Sequence, residues 1–540
     1  MSRRFFLAAA LAALAARAPG APGAEHKPGY LVLAPRAAVP VLEPLLELRQ
    51  ERYTVALAAC EDLAGPDGRL ALGTLKATFR AWHRKAGPLA CILLVGDTAS
   101  GPGQLPAVPT HPLGFDVWFG TLATDEPRAA PASRHRPAIA VGRLPARTRA
   151  ELEVMVGKTV AYETRRRPGP WQRRIHAVAG TGGYSPAIDR VIDQAGTAIL
   201  SAVVPQSYRV TMTRGLTSSP YCWPPDRFER RVAELFDGGA LFVAYVGHGR
   251  AESAMEVTGF MGGTILDGST LRGLRGPAAG RPIALFVACN MGEFDRPRDC
   301  LAEVALKAPG GPVACVASAR PSHPYGNAVY GLELTRALLR GQGATLGQRL
   351  LQAQRATVAP RRAVDLLRAS LDGLSRIEAL GGMSRREQEA LLARHVYLYS
   401  LFGDPALRVA YPRASPRPLH VALDAQGTAW TVRWELPGMD RATAVLSLAT
   451  PRAALPRDLE PVDPADPAWR EAMVRNYRRA NRRAVVERRL AVEGGRLEAT
   501  IPTAVEGRRL SFGTYFVKAF AWDERRAVAA AAAVSWSLSP

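Results

Sequence analysis

The chain has 540 residues, 47% of them hydrophobic and 22% charged, a composition that fills several buried cores and excludes both a disordered chain and a disulfide-stapled miniprotein. Its 70 basic and 48 acidic residues give a formal charge of +22, which by itself points to an anionic partner. Six of the cations are lysines and 64 are arginines, the mark of a biased composition rather than of a designed binding stripe.

At the N-terminus, Arg3 and Arg4 precede an apolar run from Phe5 to Ala15, and the stretch closes on Ala21-Pro-Gly-Ala24. This is the layout of a secretory signal peptide, with an apolar part too short to span a bilayer. No other stretch reaches about 18 unbroken apolar residues, so the expectation is a secreted protein, periplasmic or extracellular, without a transmembrane segment. Most of the positive surplus survives removal of the peptide. It predicts non-specific, salt-releasable adhesion to anionic cell-surface material, and no specific nucleic-acid partner.

Beyond Tyr30, Val-, Ile- and Leu-rich runs alternate with segments of helical period. Strands are expected at Tyr30–Ala34, Tyr53–Ala58 and Cys91–Val95, with helices over Val39–Arg49 and Thr74–Lys85 between them. This alternation indicates a parallel sheet covered on both faces. A Pro/Gly-rich loop at 98–114 leads to a strand at Ile139–Val141 and a helix over Arg147–Arg165, which the Arg-Arg-Arg-Pro-Gly-Pro run at 165–170 ends. A second α/β series follows, with strands at Ile175–Ala179, Tyr208–Met212, Ala240–Val246, Ile283–Ala288 and Pro312–Ala317. From about residue 417 the pattern shortens to period-two alternation, as in Ala429-Trp-Thr-Val-Arg-Trp434, which reads as an antiparallel β-sandwich. Pro467–Ala484 interrupts it, with Trp469, Met473 and Tyr477 near helical spacing.

Six cysteines form no C-x-x-C pair and no zinc spacing, so neither a disulfide framework nor a metal site is assigned. Cys91 and Cys315 lie inside strand-like runs and read as buried thiols. Two strand ends carry chemistry. One apolar strand runs into Gly247-His248-Gly249, and another runs into Cys289-Asn-Met-Gly292. If the strands are neighbours in one sheet, both side chains emerge at its carboxyl edge, where open α/β sheets hold their ligands. An imidazole beside a thiol stabilises the thiolate and serves as general acid for a leaving group. The backbone amides of Gly249 and Cys289 can then face a developing oxyanion. Spacing alone leaves a second reading equally open, in which His248 is a turn residue and Cys289 a core thiol.

The segments Tyr245-Val-Gly-His-Gly249, Ala288-Cys-Asn-Met-Gly-Glu-Phe-Asp295 and Cys300-Leu-Ala-Glu303 together resemble the gingipain-type cysteine peptidases, peptidase family C25, of caspase-like fold. The similarity includes Leu93-Leu-Val-Gly-Asp97, Ile139-Ala-Val-Gly-Arg-Leu-Pro-Ala-Arg147, Gly311-Pro-Val-Ala314, Ser318-Ala-Arg320, Thr345-Leu-Gly347 and Leu401-Phe-Gly-Asp-Pro-Ala-Leu407, and covers most of residues 30–410. The resemblance implies a catalytic unit of two parallel-sheet α/β subdomains followed by an immunoglobulin-like β-sandwich. The expected division is a signal peptide at 1–24, an N-terminal α/β subdomain at 25–168, a catalytic α/β subdomain at 169–411 and the sandwich at 412–540. It also implies a Cys289 nucleophile with His248 as partner and a protein or peptide substrate, and it leaves no room for a long N-terminal inhibitory propeptide. No cofactor is required. Calcium is used by some such relatives, and no ligand set for it is assignable here.

One departure is chemical. Such relatives commonly carry an acid just ahead of the Ile-Ala-Val-Gly-Arg strand to orient the histidine, and here Pro137 and Ala138 stand there. Asp125 and Glu126, just upstream, are the substitutes considered. His323, on a loop after the Cys315 strand, is a candidate for the substrate cleft. The leading expectation is an exported cysteine endopeptidase working through a Cys–His dyad and an acyl-enzyme. The alternatives are a sorting protease or transpeptidase of the same fold, and an inactive pseudoenzyme that binds a partner.

Overall fold

The apolar runs form strands because both of their faces are covered: Gly29–Ala34 and Ala140–Leu144 are buried at every position and Leu89–Val95 at all but one, as expected of parallel strands beneath helices. A computed structural model describes residues 27–536 except 68–69, 86–88, 117–119, 126–136, 166, 182–195, 258–262, 341–344, 361–363, 378–381, 457 and 506–507. The expected signal peptide and Glu126 therefore lie outside the described residues. No helix among those described is long and apolar enough to cross a membrane.

The chain forms two compact units. The first comprises the chain up to Thr164, Gly249–Glu252 and Phe286–Val409, and the second Arg165–His248, Ser253–Leu285 and Ala410–Pro540. In the first, the strands run edge to edge as Thr54–Ala59, Gly29–Ala34, Leu89–Val95, Ala140–Leu144, Tyr399–Phe402 and Ala314–Ser318, with the end of Ile283–Val287 beside the last. The pairing is parallel, with Leu31 opposite both Ala56 and Ile92 and Leu93 opposite Gly142. Tyr399–Phe402 is the exception: it runs antiparallel to Ala314–Ser318 and was not anticipated, since four residues carry almost no periodic signal. Helices Val39–Gln50, Leu72–Lys85 and Arg149–Thr164 fall within a few residues of expectation.

Buried charges in this unit are matched partner to partner. The Arg49 guanidinium donates to Asp404 and to Glu163, each at 2.7 Å, while Tyr30 Oη donates to Asp404 Oδ1 at 3.0 Å. Gly142 is fixed by a second constraint, because a Cβ there would fall 2.2 Å from the Gly403 carbonyl oxygen.

In the second unit Arg174–Ala179 is the central strand, parallel to Phe242–Val246 on one side and Arg209–Arg214 on the other. The edge strand Arg209–Arg214 is blunted by the helix Trp469–Asn481, whose Asn481 amide accepts from the Met212 N–H at 2.7 Å and donates to the Met212 carbonyl at 2.9 Å. This is one way proteins protect an open sheet edge, and it is what the interrupting segment of the sandwich sequence builds. The eight-stranded sheet of residues 413–536 is almost wholly antiparallel. Alternate residues such as Trp430, Val432 and Trp434, or Val517, Ala519 and Ala521, supply its core. Two hairpins, His111–Asp116 with Gly120–Thr124 and Ser253–Val257 with Gly263–Asp267, were not anticipated.

Removing one member of a buried charge network leaves the others uncompensated. Asp404→Asn is expected to cost about 3–5 kcal/mol in denaturant unfolding. Glu498→Gln, which breaks the exposed Arg433–Glu498 pair at 2.9 Å, should cost less than about 1 kcal/mol.

Candidate active site

Of the six cysteines, all of them free thiols, Cys289 is the one that is not buried. It follows the fully buried strand Ile283–Val287 and precedes Asn290, which at φ 59° is the single non-glycine among the described residues in the left-handed region. Asparagine tolerates that region better than most residues. The Asn290 and Gly292 N–H groups donate to Arg320 O at 3.2 Å and Ser318 O at 2.8 Å, so the turn is laced to the end of the strand Ala314–Ser318. Arg320 clamps it further, with two bonds to the Asp295 carboxylate at 2.7 and 2.6 Å and one to Thr121 O at 2.7 Å.

The sulfur faces Ser322. The Ser322 N–H donates to Cys289 Sγ at 3.2 Å, and Ser322 Oγ lies 3.5 Å from it. Behind Ser322 a polar chain continues: Asn327 Nδ2 donates to Ser322 Oγ at 2.8 Å, and Asn327 Oδ1 accepts from Tyr399 Oη at 2.7 Å and lies 3.1 Å from His395 Nε2. Burial, with the neighbouring His323 as a smaller cause, pushes His395 down to about 3, so this imidazole is neutral and acts as a hydrogen-bonding group. The whole chain was missed in the sequence, where Ser322, Asn327, His395 and Tyr399 share no motif.

His248 follows the strand Phe242–Val246 in the second unit by two residues and is exposed; its carbonyl accepts from Tyr245 Oη at 2.5 Å. The next residue, Gly249, belongs to the first unit and lies against the cysteine turn. A Cβ on Gly249 would fall 2.6 Å from Cys289 O and 2.7 Å from Met291 Cγ. Two residues on, Ala251 O accepts from the Leu301 N–H at 2.6 Å. The structure thus brings Gly249 and Cys289, both chosen from sequence, into backbone contact.

His323 caps the helix Pro324–Leu339, its Nδ1 accepting from the Tyr325 N–H at 3.2 Å, and burial lowers its pKa. It is the chain neighbour of Ser322. Both oxygens of Asp125 accept from Arg143 at 2.7 Å, and this guanidinium also donates to Gly96 O and Val108 O at 2.8 Å. Arg143 lies 5.3 Å from the ring centroid of Phe294, a residue of the loop after Cys289.

Residues 24–410 match the model of peptidase family C25. Gingipain R2 of Porphyromonas gingivalis strain ATCC 33277 is 24% identical over 276 residues, which is 50% of this chain and 33% of that protein. Gingipain R1 of Porphyromonas gingivalis is 24% identical over 276 residues and matched over 25% of its length, so the chain spans a third or less of the curated relatives it matches. Among solved structures, the Arg-specific cysteine proteinase gingipain R is similar at a TM-score of 0.53 and 15% identity, over 95% of this chain and 98% of that one. The complex of Porphyromonas gingivalis RgpB pro- and mature domains gives a TM-score of 0.52 at 14% identity, over 94% and 99%. At these identities the likeness concerns the fold, which is the parallel-sheet α/β unit followed by an immunoglobulin-like sandwich expected from the sequence.

One group of acids in the first unit was also missed: Asp97, Asp299 and Glu303 offer carboxylate oxygens within 4.8 Å of one another. These residues do not fit a calcium ion. The Lys307 ammonium lies 2.9 Å from Asp299 and 3.8 Å from Asp97, Arg147 pairs with Asp97 at 2.8 Å, and the cluster already carries its cations. Burial, reinforced by the charges of Asp97 and Asp299, raises Glu303 to about 8, so it is protonated at neutral pH. A carboxyl whose folded pKa lies above its unfolded value stabilises fully below the unfolded value, and that contribution is lost as pH rises through the folded one. Thermal unfolding from pH 5 to pH 8.5 should therefore show a stability loss that Glu303→Gln removes, the melting-temperature gap between variant and wild type widening with pH in favour of the variant.

Proposed function

Because the chain belongs to peptidase family C25, we propose that it is an exported cysteine endopeptidase in which Cys289 is the nucleophile and His248 its general base and acid. The observation that carries this reading is the backbone contact of Gly249 with Cys289, which ties the histidine loop to the turn bearing the one thiol that is not buried. Cys289 Sγ attacks the scissile carbonyl, His248 protonates the departing amine, and a thioester acyl-enzyme forms that water then hydrolyses with His248 as base. The N–H groups of Gly249 and Cys289 are the proposed oxyanion donors, each of a kind whose loss raises the barrier by about 3 kcal/mol. The Ser322 N–H aimed at the sulfur supplies a further dipole when the sulfur carries negative charge.

The proposed dyad needs no third group. Asp125, both of whose oxygens are taken by Arg143, is assigned a positioning part through Arg143 and Phe294, and His323 a place beside the substrate next to Ser322. Export rests on the layout of residues 1–24.

Iodoacetamide should modify Cys289 ahead of the five buried cysteines, as read by peptide mapping. Cys289→Ala and His248→Ala should each lower kcat/KM on a peptide library by about 10⁴-fold or more. Unchanged proteolysis in Cys289→Ala would sink the enzyme reading. With an added amine, a ligated product in place of a hydrolysed one would turn the assignment to transpeptidation.

A further inference from the structure

The second unit contains a pocket lined by six cationic side chains and one carboxylate. It lies between the strand Arg209–Arg214 and the face of the sandwich sheet opposite its core, and has about 530 Å³ of empty space, part of it solvent at the mouth. Lys518 is 8% exposed and Arg173 is 5% exposed. Among the described residues, neither the Lys518 ammonium nor the Arg173 guanidinium makes a hydrogen bond or an ion pair. Arg173 lies over the Phe520 ring, 5.0 Å from its centroid. Arg452, 8% exposed, donates to carbonyls of the loop beneath, Pro205 O at 2.6 Å and Tyr208 O at 3.0 Å among them, and has no carboxylate partner among the described residues. The one acid, Glu487, is largely turned to solvent, 3.5 Å from Arg209.

Buried cations without counter-ions are costly and rare. Burial and the neighbouring charges of Arg452, Arg173, Arg209 and Arg483 depress Lys518 to about 7, and burial depresses Arg173 and Arg452 to about 10. An anion in the pocket removes the repulsion among them. A guanidinium fork and an ammonium together suit a tetrahedral oxyanion, the one as a planar pair of donors and the other as a point charge.

We propose that this pocket is a binding site for a phosphate or sulfate group, free or carried as a monoester, with Lys518 and Arg173 as its principal ligands and Arg209 at its mouth. Calorimetry and thermal unfolding of the full chain, in the Cys289→Ala background to prevent self-cleavage, test this at pH 6.5 and constant ionic strength. The probes are inorganic phosphate, inorganic sulfate and O-phosphoserine, with acetate as control. One equivalent of a tetrahedral anion should bind and raise the melting temperature, while acetate should not. Stronger binding of O-phosphoserine would identify a carried monoester, and equal or weaker binding the free anion. Lys518→Met should fold and, without added anion, be at least as stable as the parent, because it removes an unpaired buried charge. It should lose tenfold or more of the anion affinity, as should Arg173→Met. Absence of binding by all three probes, or affinity unchanged in Lys518→Met, would overturn the proposal.

Discussion

The close approach of two backbones, Gly249 and Cys289, is the constraint on which the proposed site depends. A side chain at residue 249 would collide with the Cys289 carbonyl, so the loop carrying His248 reaches the cysteine turn through bare peptide. Packing of this kind sets distance more sharply than attraction between mobile side chains, because protein interiors yield little. The same turn is held from its other side by Arg320 on Asp295 and by the Asn290 and Gly292 amides. A thiol in such a frame is held in place in advance, and for the nucleophile proposed above orientation of that sort would account for a large share of catalytic acceleration.

Much of the resemblance to known peptidases turns out to lie in scaffold rather than chemistry. The Val-Gly-Arg segment supplies Gly142, where the Gly403 carbonyl leaves no room for a side chain, and Arg143, whose guanidinium joins Asp125 to the carbonyls of Gly96 and Val108. The Phe-Gly-Asp-Pro-Ala segment supplies Asp404, which receives Arg49, Tyr30 and the Ala406 N–H. Buried ion pairs of this type contribute little net stability compared with apolar packing, but they punish any arrangement that leaves one partner alone. Such pairs favour one strand order over its alternatives.

The period-two and helical patterns made most strands and helices legible, since burial on both faces or on one face writes itself into composition. The two strand ends bearing His248 and Cys289 were legible for the same reason: each is an apolar run that stops at a polar residue and a turn, His248 between two glycines and Cys289 ahead of Asn290 and Gly292. The polar chain behind Cys289 was not. Ser322 and Asn327 come from a strand-to-helix junction and His395 and Tyr399 from a helix-to-strand junction far along the chain, and only the insertion of Tyr399–Phe402 next to Ala314–Ser318 brings them together. The carboxylate cluster was hidden likewise, because Asp97 ends one strand while Asp299 and Glu303 flank the start of a short helix.

Net charge, too, divides into parts that composition cannot separate. Arg475 and Arg479 share Glu460, and Arg433 faces Glu498; these are exposed pairs of small energetic weight. Lys518 is different because of where strand alternation puts it. Val517 and Ala519 point into the sandwich core, so Lys518 and Phe520 must point the other way, toward a face that in most sandwiches is wet. Here Arg173 and the residues around Arg452 cover that face. A one-residue slip would drive the ammonium into the apolar core beside Val517 and Ala519, so the register that builds the sandwich also fixes the cation in the pocket. An anion at the proposed site would relieve the repulsion among these cations.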